Sequence, residues 1–461
     1  MTMDTTTPAM VFMLIILFMI SEPNKPSTDP LEQKALYQVL NSLNPTIPWP
    51  TLYPNDLCRS PPPGVVCDYY LSSVNDDHSD HQQRKSHIVE LNFGYISDQT
   101  PTPPCSYNAT LNPLLFNSFT YLRKLSFYKC FNKTEKPIHL ISLPSFPVSS
   151  LQRLVFVDNP AIVSSLESFL TNLTTSLKSL VLTGNGFYGE LPKHIGDFLE
   201  LEELILSGSN LSGQLPASLG MLKKLEILDL SQNEIEGCVP EQLGNLISLL
   251  KLDLSFNGFG CEIPESFIHL KNLKFLDLSY NNFGNFGVPL FLGEFSKLNE
   301  VYLSGNSLSG EIPEIWEKLG GVEKIGFSKM GLVGKIPVSM GVYLKNLTYL
   351  GLNNNMLDGP VPEEFGNLRF ANEINLENNN LSGRITFSCE VGEKFKLGGN
   401  VGLCLGKYYS CSENEGCSSL CQLNPCKILT NVIPDDDDDD DSWILLFLLW
   451  ILMGNAAARI I

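Results

Sequence analysis

Residues 177–272 read LKSLVLTGNGFYGELPKHIGDFLE, LEELILSGSNLSGQLPASLGMLKK, LEILDLSQNEIEGCVPEQLGNLIS and LLKLDLSFNGFGCEIPESFIHLKN when the sequence is broken every 24 residues. The shared pattern is LxxLxLxxNxLxGxIPxxLGxLxx, and a fixed period of this length is typical of repeat architectures. Further copies start at Leu273, Leu298, Val322, Leu347 and Ala371, and looser copies start near Ile88, Leu122 and Leu151. The 461-residue chain is therefore predicted to be mostly one stack of repeats rather than several unrelated cores.

The apolar alternation LxxLxL at the start of each block predicts a short strand whose leucine face is buried. One repeat cannot bury its own leucines, so neighbouring strands are expected to stack into a parallel sheet over one continuous core. The predicted fold class is an α/β repeat solenoid. We expect a right-handed, curved superhelix with the parallel sheet on its concave face and disulfide-closed caps at its ends.

The ninth position of most repeats is asparagine, which is expected to point inward and to bond backbone groups of the turn and of neighbouring repeats. These residues are Asn233, Asn257, Asn281, Asn306, Asn355 and Asn379. Ser209 and Met330 occupy the same position and are expected to interrupt this ladder. The repeats from Leu273 and Val322 each contain one extra residue, which predicts local bends there.

A capping structure is predicted before the first repeat. Asp29 is expected to be the N-cap of a helix, Pro30 its first residue and Glu32 its capping-box partner. The apolar face of this helix would consist of Ala35, Leu36, Val39 and Leu40. Cys58 and Cys67 are expected to bond and to lock the cap over the first leucine layer. Residues 401–404 with Cys411 are predicted to form the corresponding exit.

The 12 cysteines contain no CxxC pair, which favours a disulfide framework over a zinc site. The expected disulfide residues are Cys58, Cys67, Cys105, Cys130, Cys238, Cys261, Cys404 and Cys411. Cys238 and Cys261 stand at positions 14 and 13 of adjacent repeats, within disulfide reach, and two buried thiols are the alternative. The pairing of Cys389, Cys417, Cys421 and Cys426 is left open.

Two further features predict entry into the secretory pathway. Residues 11–20 are apolar and too short to span a bilayer, so they are interpreted as a signal-peptide core. No Lys or Arg precedes them, and a buried N-terminal strand is the alternative. Six N-x-[ST] sequons predict glycosylation, at Asn108, Asn132, Asn172, Asn210, Asn346 and Asn380.

Residues 443–461 are apolar except for Asn455 and Arg459. Their length is close to the about 20 residues that a membrane-spanning helix needs, so we expect an anchor on the extracellular face of the cell membrane. A GPI signal is the alternative. A single-pass span is favoured over it, because the spacer before the apolar tail is the aspartate run 435–441 and small residues suited to cleavage are few.

The LxGxIP repeats resemble the plant-specific class of leucine-rich repeats found in receptor kinases and receptor-like proteins. The block DLCRSPPPGVVC, residues 56–67, carries a proline triplet where many members have Trp-x-Gly-Val. It is similar to a small group that includes the Piriformospora indica-insensitive proteins and Too Many Mouths. This resemblance covers roughly residues 30–410 and implies an extracellular binding protein.

Side chains on the solvent side of the predicted strands would form a partner-binding surface, since aromatics beside charges on a rigid sheet suit recognition. The candidates are Glu203, Glu226, Asp229, Asp253, Phe256, Phe275, Asp277, Tyr280 and Tyr302, with Glu202 and Glu300 beside them. Alternatively, the three aspartates are consensus residues in a solvated column. Their repulsion would then need a cation or the hydroxyls of Ser231, Ser255 and Ser279.

The 50 acidic and 31 basic residues argue against a nucleic-acid partner. The motifs GxSxG, HExxH and the protein-kinase set do not occur, so no enzyme, cofactor or metal site is predicted. The acidic and histidine-containing segment 76–81 is interpreted as a solvated loop.

The predicted function is a cell-surface receptor-like protein that binds a peptide, glycan or receptor-kinase partner in defence, symbiosis or development and signals through a co-receptor kinase.

Two other functions are considered. One is a soluble extracellular inhibitor of microbial wall-degrading enzymes, which would need no C-terminal anchor. The other is a structural wall protein, disfavoured because long Pro- or Gly-rich tracts are absent.

The predicted organisation is a signal peptide (1–21), an N-terminal cap (22–86), about 12 repeats (87–394), a C-terminal cap (395–430), an acidic spacer (431–442) and an anchor (443–461).

Overall fold

The computed structural model describes residues 27–72, 83–95, 102–132, 137–140, 150–406, 420 and 423–426. The chain divides into two compact units between Asn424 and Pro425, and of the second unit only Pro425 and Cys426 are described. The predicted signal peptide, acidic spacer and C-terminal anchor lie outside the described residues, as do segment 76–81, Cys411, Cys417 and Cys421. Among the described helices, none has both the length and the hydropathy of a membrane span.

The first unit begins with the predicted cap. Helix α1 (Pro30–Leu43) starts at the N-cap Asp29, whose carboxylate accepts a hydrogen bond from the Leu31 amide at 2.9 Å. Its apolar face is buried, as predicted from Ala35, Leu36, Val39 and Leu40. A short helix α2 (Trp49–Leu52) follows, and both helices belong to the same hydrophobic core as the repeats.

The expected capping-box role of Glu32 is wrong. The Asp29 amide already donates to the Ser86 carbonyl at 3.3 Å, so the N-cap has no need of the Glu32 carboxylate. Glu32 is instead 3% exposed and joins the cap to the first strands, accepting from the Ile88 amide at 2.9 Å and contacting His87 Nδ1 at 2.9 Å. Burial raises the pKa of the Glu32 carboxyl, although these two hydrogen bonds oppose the shift.

The repeats form a 14-stranded sheet, here called the long sheet. Its first two strands, β1 (Val65–Ser72) and β2 (Gln83–Gly94), are antiparallel, and every later pair in it is parallel. The later strands are β3 (Lys124–Tyr128), β5 (Arg153–Val157), β7 (Ser179–Thr183), β9 (Glu203–Ile205), β11 (Ile227–Asp229), β13 (Lys251–Asp253), β15 (Phe275–Asp277), β16 (Glu300–Tyr302), β17 (Lys324–Gly326), β19 (Tyr349–Gly351), β21 (Glu373–Asn375) and β23 (Phe395–Lys396).

The return half of most repeats contributes a second strand, a helical turn or both. The second strands are β4 (Ile138–His139), β6 (Ile162–Ser165), β8 (Gly186–Glu190), β10 (Asn210–Gly213), β12 (Glu234–Cys238), β14 (Gly258–Gly260), β18 (Val333–Lys335), β20 (Met356–Gly359), β22 (Asn380–Ile385), β24 (Gly402–Leu405) and β25 (Asn424–Pro425). The helical turns include α3 (Leu114–Asn117), α4 (Leu166–Thr171), α5 (Val338–Tyr343), α6 (Cys389–Gly392) and seven 3₁₀ turns, at Lys193–Asp197, Ala217–Met221, Glu241–Asn245, Glu265–His269, Leu290–Glu294, Trp316–Lys318 and Glu363–Asn367.

The two repeats with an extra residue are both irregular. Between β14 and β18, within the fully described stretch 150–406, the second sheet is interrupted and isolated bridges Gly284–Ser307 and Glu311–Val333 take its place. This interruption covers the Leu273 repeat with its inserted residue and the repeat after it. In the Val322 repeat, the extra residue lengthens the return turn into the α-helix α5, where most neighbouring repeats form 3₁₀ turns.

The prediction of an inward asparagine ladder is confirmed. Asn233 donates to the carbonyls of Leu206, Leu230 and Ser231 at 2.9–3.1 Å and accepts from the Leu211 amide at 3.1 Å. Asn257, Asn281, Asn306, Asn355 and Asn379 make the same kind of contacts.

The ladder is also longer than predicted. Asn159, Asn185 and Asn400 belong to it. Asn400 accepts from the Leu381 amide at 3.1 Å, and β23 and β24 add a further rung to both sheets in the segment for which the sequence predicted a cap. Where Met330 replaces the asparagine, Asn355 accepts from the Met330 amide at 2.9 Å, so the ladder contact with the following repeat is kept.

Three disulfides close gaps between neighbouring segments, joining Cys58 to Cys67, Cys105 to Cys130 and Cys238 to Cys261, with Cα atoms 5.6, 5.0 and 5.3 Å apart. Cys404 and Cys426 are disulfide-bonded as well. The Cys238–Cys261 bond joins adjacent repeats, so the alternative of two separate thiols does not hold.

We predict that Asp56→Ala lowers the free energy of unfolding by about 2 kcal/mol at neutral pH, because the carboxylate accepts four hydrogen bonds. The donors are the Thr28 amide and hydroxyl, both at 2.6 Å, and the amides of Cys58 and Arg59 at 2.9 and 3.1 Å. Burial alone would raise the pKa of Asp56, but these bonds outweigh it and hold the pKa below its ordinary value.

This stabilisation is fully present above the ordinary carboxyl pKa and is lost as the pH falls through the lower folded-state pKa. The difference between wild type and variant in denaturant titrations should therefore shrink below about pH 4. Asp68→Ala is the control, since the exposed Asp68 carboxylate pairs with Arg123 and accepts from the adjacent Tyr69 amide, and its loss should change stability by about 0–1 kcal/mol. A difference between wild type and Asp56→Ala that stays constant with pH would contradict this account.

Candidate partner-binding surface

The long sheet has one face packed on the core and one face directed to solvent. In each repeat, positions 4 and 6 carry buried leucines or equivalent residues, and positions 3 and 5 lie on the opposite side. We call the side chains at positions 3, 5 and 8 of the repeats the sheet surface. Its strands are held in register from Glu203 to Asn375 by parallel pairing, so the spacing of these side chains is fixed by backbone hydrogen bonds.

Position 8 has a backbone conformation that the sequence pattern did not predict. Its φ angle is positive in repeat after repeat, at Lys129, Asp158, Gly184, Gly208, Gln232, Phe256, Tyr280, Gly305, Lys329, Asn354 and Asn378. Glycine and asparagine suit this left-handed region, whereas a large aromatic residue there is strained by about 1–2 kcal/mol. Phe256 and Tyr280 nevertheless occupy it, with φ of 53° and 54°.

The rings of Phe256 and Tyr280 stack on each other, with centroids 4.4 Å apart and an interplanar angle of 16°. They are 49% and 45% exposed, so the stack is not part of the core. Both rings are held in a strained backbone and are about half open to solvent. This combination marks the stack as a candidate contact point for a partner.

Asp229, Asp253 and Asp277 form a row across three neighbouring strands, in direct register. The alternative of a solvated column does not hold for the first two, which are only 8% and 9% exposed. Each of those two carboxylates accepts from the amide and the hydroxyl of the serine two residues later. Hydroxyl-to-carboxylate distances are 2.7 Å for both Ser231 and Ser255. Asp277 is half-buried and accepts from the Ser279 amide at 2.8 Å.

Lys251 is a member of this site that the sequence analysis missed. Its ammonium lies 2.8 Å from Asp229 Oδ2 and 3.6 Å from Asp253 Oδ2, and it lies 5.2 Å from the centre of the Phe275 ring. Burial alone would lower the pKa of Lys251, but the two carboxylates outweigh burial and raise it. The sequence contained a signal for this contact. Lys251 stands at position 3 of its repeat, two residues before Asp253, and Asp229 lies in the strand of the preceding repeat.

Burial also acts on the acids of the row. It raises the pKa of Asp253, although the Ser255 hydrogen bonds and Lys251 oppose the shift. Burial also raises the pKa of Asp277 to about 6. The hydrogen bonds from Ser279 oppose this shift, and the negative charge of Asp253 adds to it. Asp277 is therefore the carboxylate of this row whose charge changes near neutral pH.

Next to this row, tyrosine rings lie over glycines of the following repeats. A Cβ atom added at Gly326 would come within 2.6 Å of the Tyr302 ring, and one added at Gly305 would come within 2.7 Å of the Tyr280 ring. The Tyr349 hydroxyl similarly covers Gly351, at 2.6 Å. The absence of side chains at these glycines lets the rings lie close to the sheet, so this part of the sheet surface is aromatic.

The Tyr302 hydroxyl donates to Glu300 at 2.7 Å, and Lys324 lies 3.1 Å from the other oxygen of the same carboxylate. Burial and then the Glu300 charge raise the pKa of Tyr302, so it remains protonated as a donor. The Tyr302 ring also contacts Phe275, with centroids 5.9 Å apart. Glu300 is thus neutralised within the site.

The remaining predicted contact residues lie at the N-terminal side of this cluster. Glu203 accepts from the Ser179 hydroxyl at 2.5 Å, Glu202 pairs with Lys178 at 3.1 Å, and Glu226 is exposed. The structure therefore brings Asp229 together with the predicted residues from Asp253 to Tyr302. Glu203 and Glu202 form separate polar contacts, and Glu226 lies exposed outside the cluster. Among the described residues, no group of His, Cys, Asp and Glu side chains has the spacing of a metal site.

The six sequons all lie outside the strands of the long sheet. Asn210 and Asn380 start second strands, Asn172 follows α4, and Asn108, Asn132 and Asn346 lie in connections. Each of them is exposed or half-exposed. Glycans at these positions would leave the sheet surface uncovered.

We predict that Lys251→Met destabilises the fold by about 1–3 kcal/mol at neutral pH, because it leaves two buried carboxylates without their cation. The loss should be smaller at acidic pH, since the pKa of Asp253 is already raised and its protonation removes the unpaired charge. Lys251→Arg is the matched control and should retain stability. Thermal melting of both variants between about pH 4 and pH 8 tests this, and a pH-independent loss would argue for packing instead.

Comparison with known proteins supports the repeat architecture described above. Family models of the leucine-rich repeat match residues 199–259, 272–294, 297–319 and 346–368. Together with the stacked parallel strands and the asparagine ladder, these matches show that this part of the chain consists of leucine-rich repeats.

The chain is similar to plant leucine-rich-repeat receptor-like proteins, which confirms the resemblance inferred from the cap and the repeats. It is 34% identical over 169 residues to Piriformospora indica-insensitive protein 2 of Arabidopsis thaliana, covering 36% of each chain. It is 32% identical over 175 residues to Protein Too Many Mouths of Arabidopsis thaliana, covering 38% of this chain and 27% of that protein. The chain thus spans about a third of the length of the curated relatives that it matches.

A solved structure supports the fold assignment. The leucine-rich-repeat ectodomain of the Arabidopsis receptor kinase HAESA, in complex with an N-terminally extended IDA peptide hormone ligand, superposes with a TM-score of 0.52 and 26% identity. The match covers 64% of this chain and 53% of that one.

Proposed function

We propose that this chain is a non-enzymatic receptor-like protein of the cell surface, which binds a peptide, glycan or receptor-kinase ectodomain through its sheet surface. The observation that carries the proposal is the exposed Phe256–Tyr280 stack, two large rings kept in a left-handed backbone. Strain of this kind persists where the surroundings impose it, and it is concentrated at functional sites. We expect the exposed faces of these two rings to pack against the partner.

The rigidity of the sheet surface supports the same function. Parallel pairing and the asparagine ladder fix the strand positions before a partner arrives, so little conformational entropy is lost on binding. The uncovered face supports it as well, because all six sequons lie off the long sheet. Large aromatic side chains beside charges are typical centres of protein recognition surfaces.

The similar proteins give the proposal its context. The HAESA ectodomain is a plant receptor that holds a peptide hormone. For this chain, we propose a role in defence, symbiosis or developmental signalling, with a co-receptor kinase that transmits the signal. The protein would enter the secretory pathway and be held at the extracellular face of the cell membrane by residues 443–461.

The experiment uses the tagged full chain, expressed in plant cells, with partners recovered by proximity labelling and co-purification. Phe256→Asn with Tyr280→Asn removes the stack and places asparagine where the backbone favours it, so stability should be kept. We expect recovery of the partner to fall about tenfold or more, as for loss of an interface centre. Tyr188→Asn is the matched control, since this tyrosine is 44% exposed on β8, away from the long sheet. Equal recovery with the double variant would overturn the proposed surface.

Anchoring is tested separately, with membranes from the same cells and phosphatidylinositol-specific phospholipase C. Retention of the protein supports a single-pass anchor, and release supports a GPI anchor. Recovery of the full-length chain entirely in the soluble fraction would favour the soluble inhibitor of wall-degrading enzymes. Inhibition of such an enzyme by the purified protein would then replace the receptor proposal.

A further inference from the structure

The aspartate row on the sheet surface has more negative charge than its lysine can neutralise. Asp229, Asp253 and Asp277 are three carboxylates in register, and Lys251 is the cation paired with the row. Its ammonium lies between the first two aspartates, within 4 Å of both. Asp277 is half-buried, and among the described residues it has no ion-pair partner within 4 Å. With all three carboxylates ionised, the row has two more negative charges than Lys251 balances.

The surroundings of Asp277 are aromatic. Its partner across the strand pairing is Tyr302, and Phe275 precedes it by two residues on the same strand. Tyr280, three residues later, is the exposed half of the aromatic stack. A half-buried carboxylate with rings on adjacent strand positions offers two attractions at once, since a cation is drawn both to the carboxylate and to the ring faces.

We propose that Asp277, with the rings of Tyr280 and Tyr302, forms a subsite for an arginine side chain of a peptide partner. The inference rests on the proposed function and names the chemistry that the sheet surface recognises. The guanidinium group is planar, stacks on aromatic rings and pairs with a carboxylate through two donors. It would supply the positive charge that the aspartate row lacks.

Charge complementarity selects this occupant over two others. A neutral glycan could lie on the rings but would leave the Asp277 charge unbalanced. A lysine would balance the charge, but its compact, strongly hydrated ammonium gains less from flat rings than a guanidinium does. The net charge of -19 over the chain also attracts a basic partner at long range.

The subsite makes binding dependent on pH. The groups that face Asp277 are Asp253 and Lys251 on one neighbouring strand and Glu300 and Tyr302 on the other. Glu300 is already paired with Lys324 and Tyr302, so Asp277 is the group that changes charge as the pH passes about 6. Arginine requires the ionised form, so its affinity should rise as the pH is raised through this range.

The probe is an acetylated and amidated pentapeptide with arginine between glycines and serines. The same peptide with citrulline, which has the same shape without the charge, is its control. Binding to the immobilised full chain is measured for wild type, Asp277→Asn and Glu226→Gln. Asparagine keeps an oxygen that can accept from the Ser279 amide, and thermal melting checks that the variant is folded. Glu226 is an exposed acid immediately before β11 of the same sheet.

We expect wild type and Glu226→Gln to bind the arginine peptide about tenfold more tightly than the citrulline peptide, with affinity rising with pH. Asp277→Asn should bind both peptides equally and without the pH dependence. Equal binding of the two peptides by wild type, or an unchanged preference in Asp277→Asn, would overturn the subsite. If partner recovery still depends on the Phe256–Tyr280 stack, the proposed function survives that result. Cellohexaose and the same pentapeptide with lysine in place of arginine are measured alongside, and tighter binding of either one than of the arginine peptide would overturn arginine as the occupant.

Discussion

Replacing Asn281 by alanine is expected to lower the free energy of unfolding by about 3–5 kcal/mol, because it removes the partner of four buried backbone groups. Asn281 is 6% exposed and donates to the carbonyls of Leu254, Leu278 and Ser279 at 2.9, 3.1 and 3.3 Å. Its oxygen accepts from the Phe259 amide at 3.0 Å. Alanine leaves these groups buried and without this partner, and the neighbouring repeat loses contacts as well.

The measurement is thermal and denaturant unfolding of the secreted full chain, with the amount secreted as a second readout. Asn272→Ala is a matched control, because it makes the same chemical change at an exposed site where the side chain donates to the Ile247 carbonyl at 2.9 Å. That variant should stay within about 0.5 kcal/mol of wild type. If both variants unfold at the same denaturant concentration, the ladder contributes no more than a surface hydrogen bond.

The second large effect is expected from Cys67→Ser, which removes the bond to Cys58 and should cost about 2–5 kcal/mol and reduce secretion. Cys67 lies in β1, at a register shift next to Val66, and Cys58 follows Leu57, which is fully buried under the cap. The disulfide joins the cap to the end of the long sheet, where neighbours are present on one side only. Loss of the bond therefore exposes the end of the core.

Two comparisons give this prediction its controls. Cys58→Ser should have the same effect as Cys67→Ser, and the double variant should add little to either. Cys238→Ser with Cys261→Ser removes an exposed bond inside the array, where repeats pack on both sides, and should have the smaller effect. Loop-closure entropy alone predicts the reverse order, since that loop is longer. A larger loss from the Cys238 and Cys261 pair would reject the end-cap explanation.

The fold could be predicted from the sequence because its period, its alternating leucines and its ninth-position asparagines all indicate one architecture. Asn159 was missed because its repeat is one of the looser copies, whereas Asn185 stands at the ninth position of a regular repeat and carried the full signal. Asn400 was missed because residues 395–430 are rich in cysteine and were therefore predicted to form a cap rather than a further repeat. Glu32 was assigned to a local capping box, since sequence spacing shows neighbours along a helix but not the strand that competes for the carboxylate.

The candidate site was predictable only in part. Alternation placed Asp277, Phe275 and Tyr302 on the solvent side of the sheet, but it could not show that Asp229 and Asp253 are buried. Their burial depends on Lys251 of one repeat reaching the carboxylate of the preceding one. The positive φ at Phe256 and Tyr280 was not predicted, because aromatic residues rarely adopt it. Glycine or asparagine at position 8 of other repeats, as at Gly208 and Asn354, was a signal for this turn that the prediction did not use.

The asparagine ladder has a direction. Each asparagine completes the hydrogen bonds of the preceding repeat, as Asn233 does for Leu206 and Leu211, and Asn400 does for Leu376 and Leu381. A ribosome makes the chain from its N-terminus, so every repeat emerges before the residue that completes it. Folding of this array during synthesis therefore trails translation by one repeat, and the newest repeat at the growing end always lacks its partner.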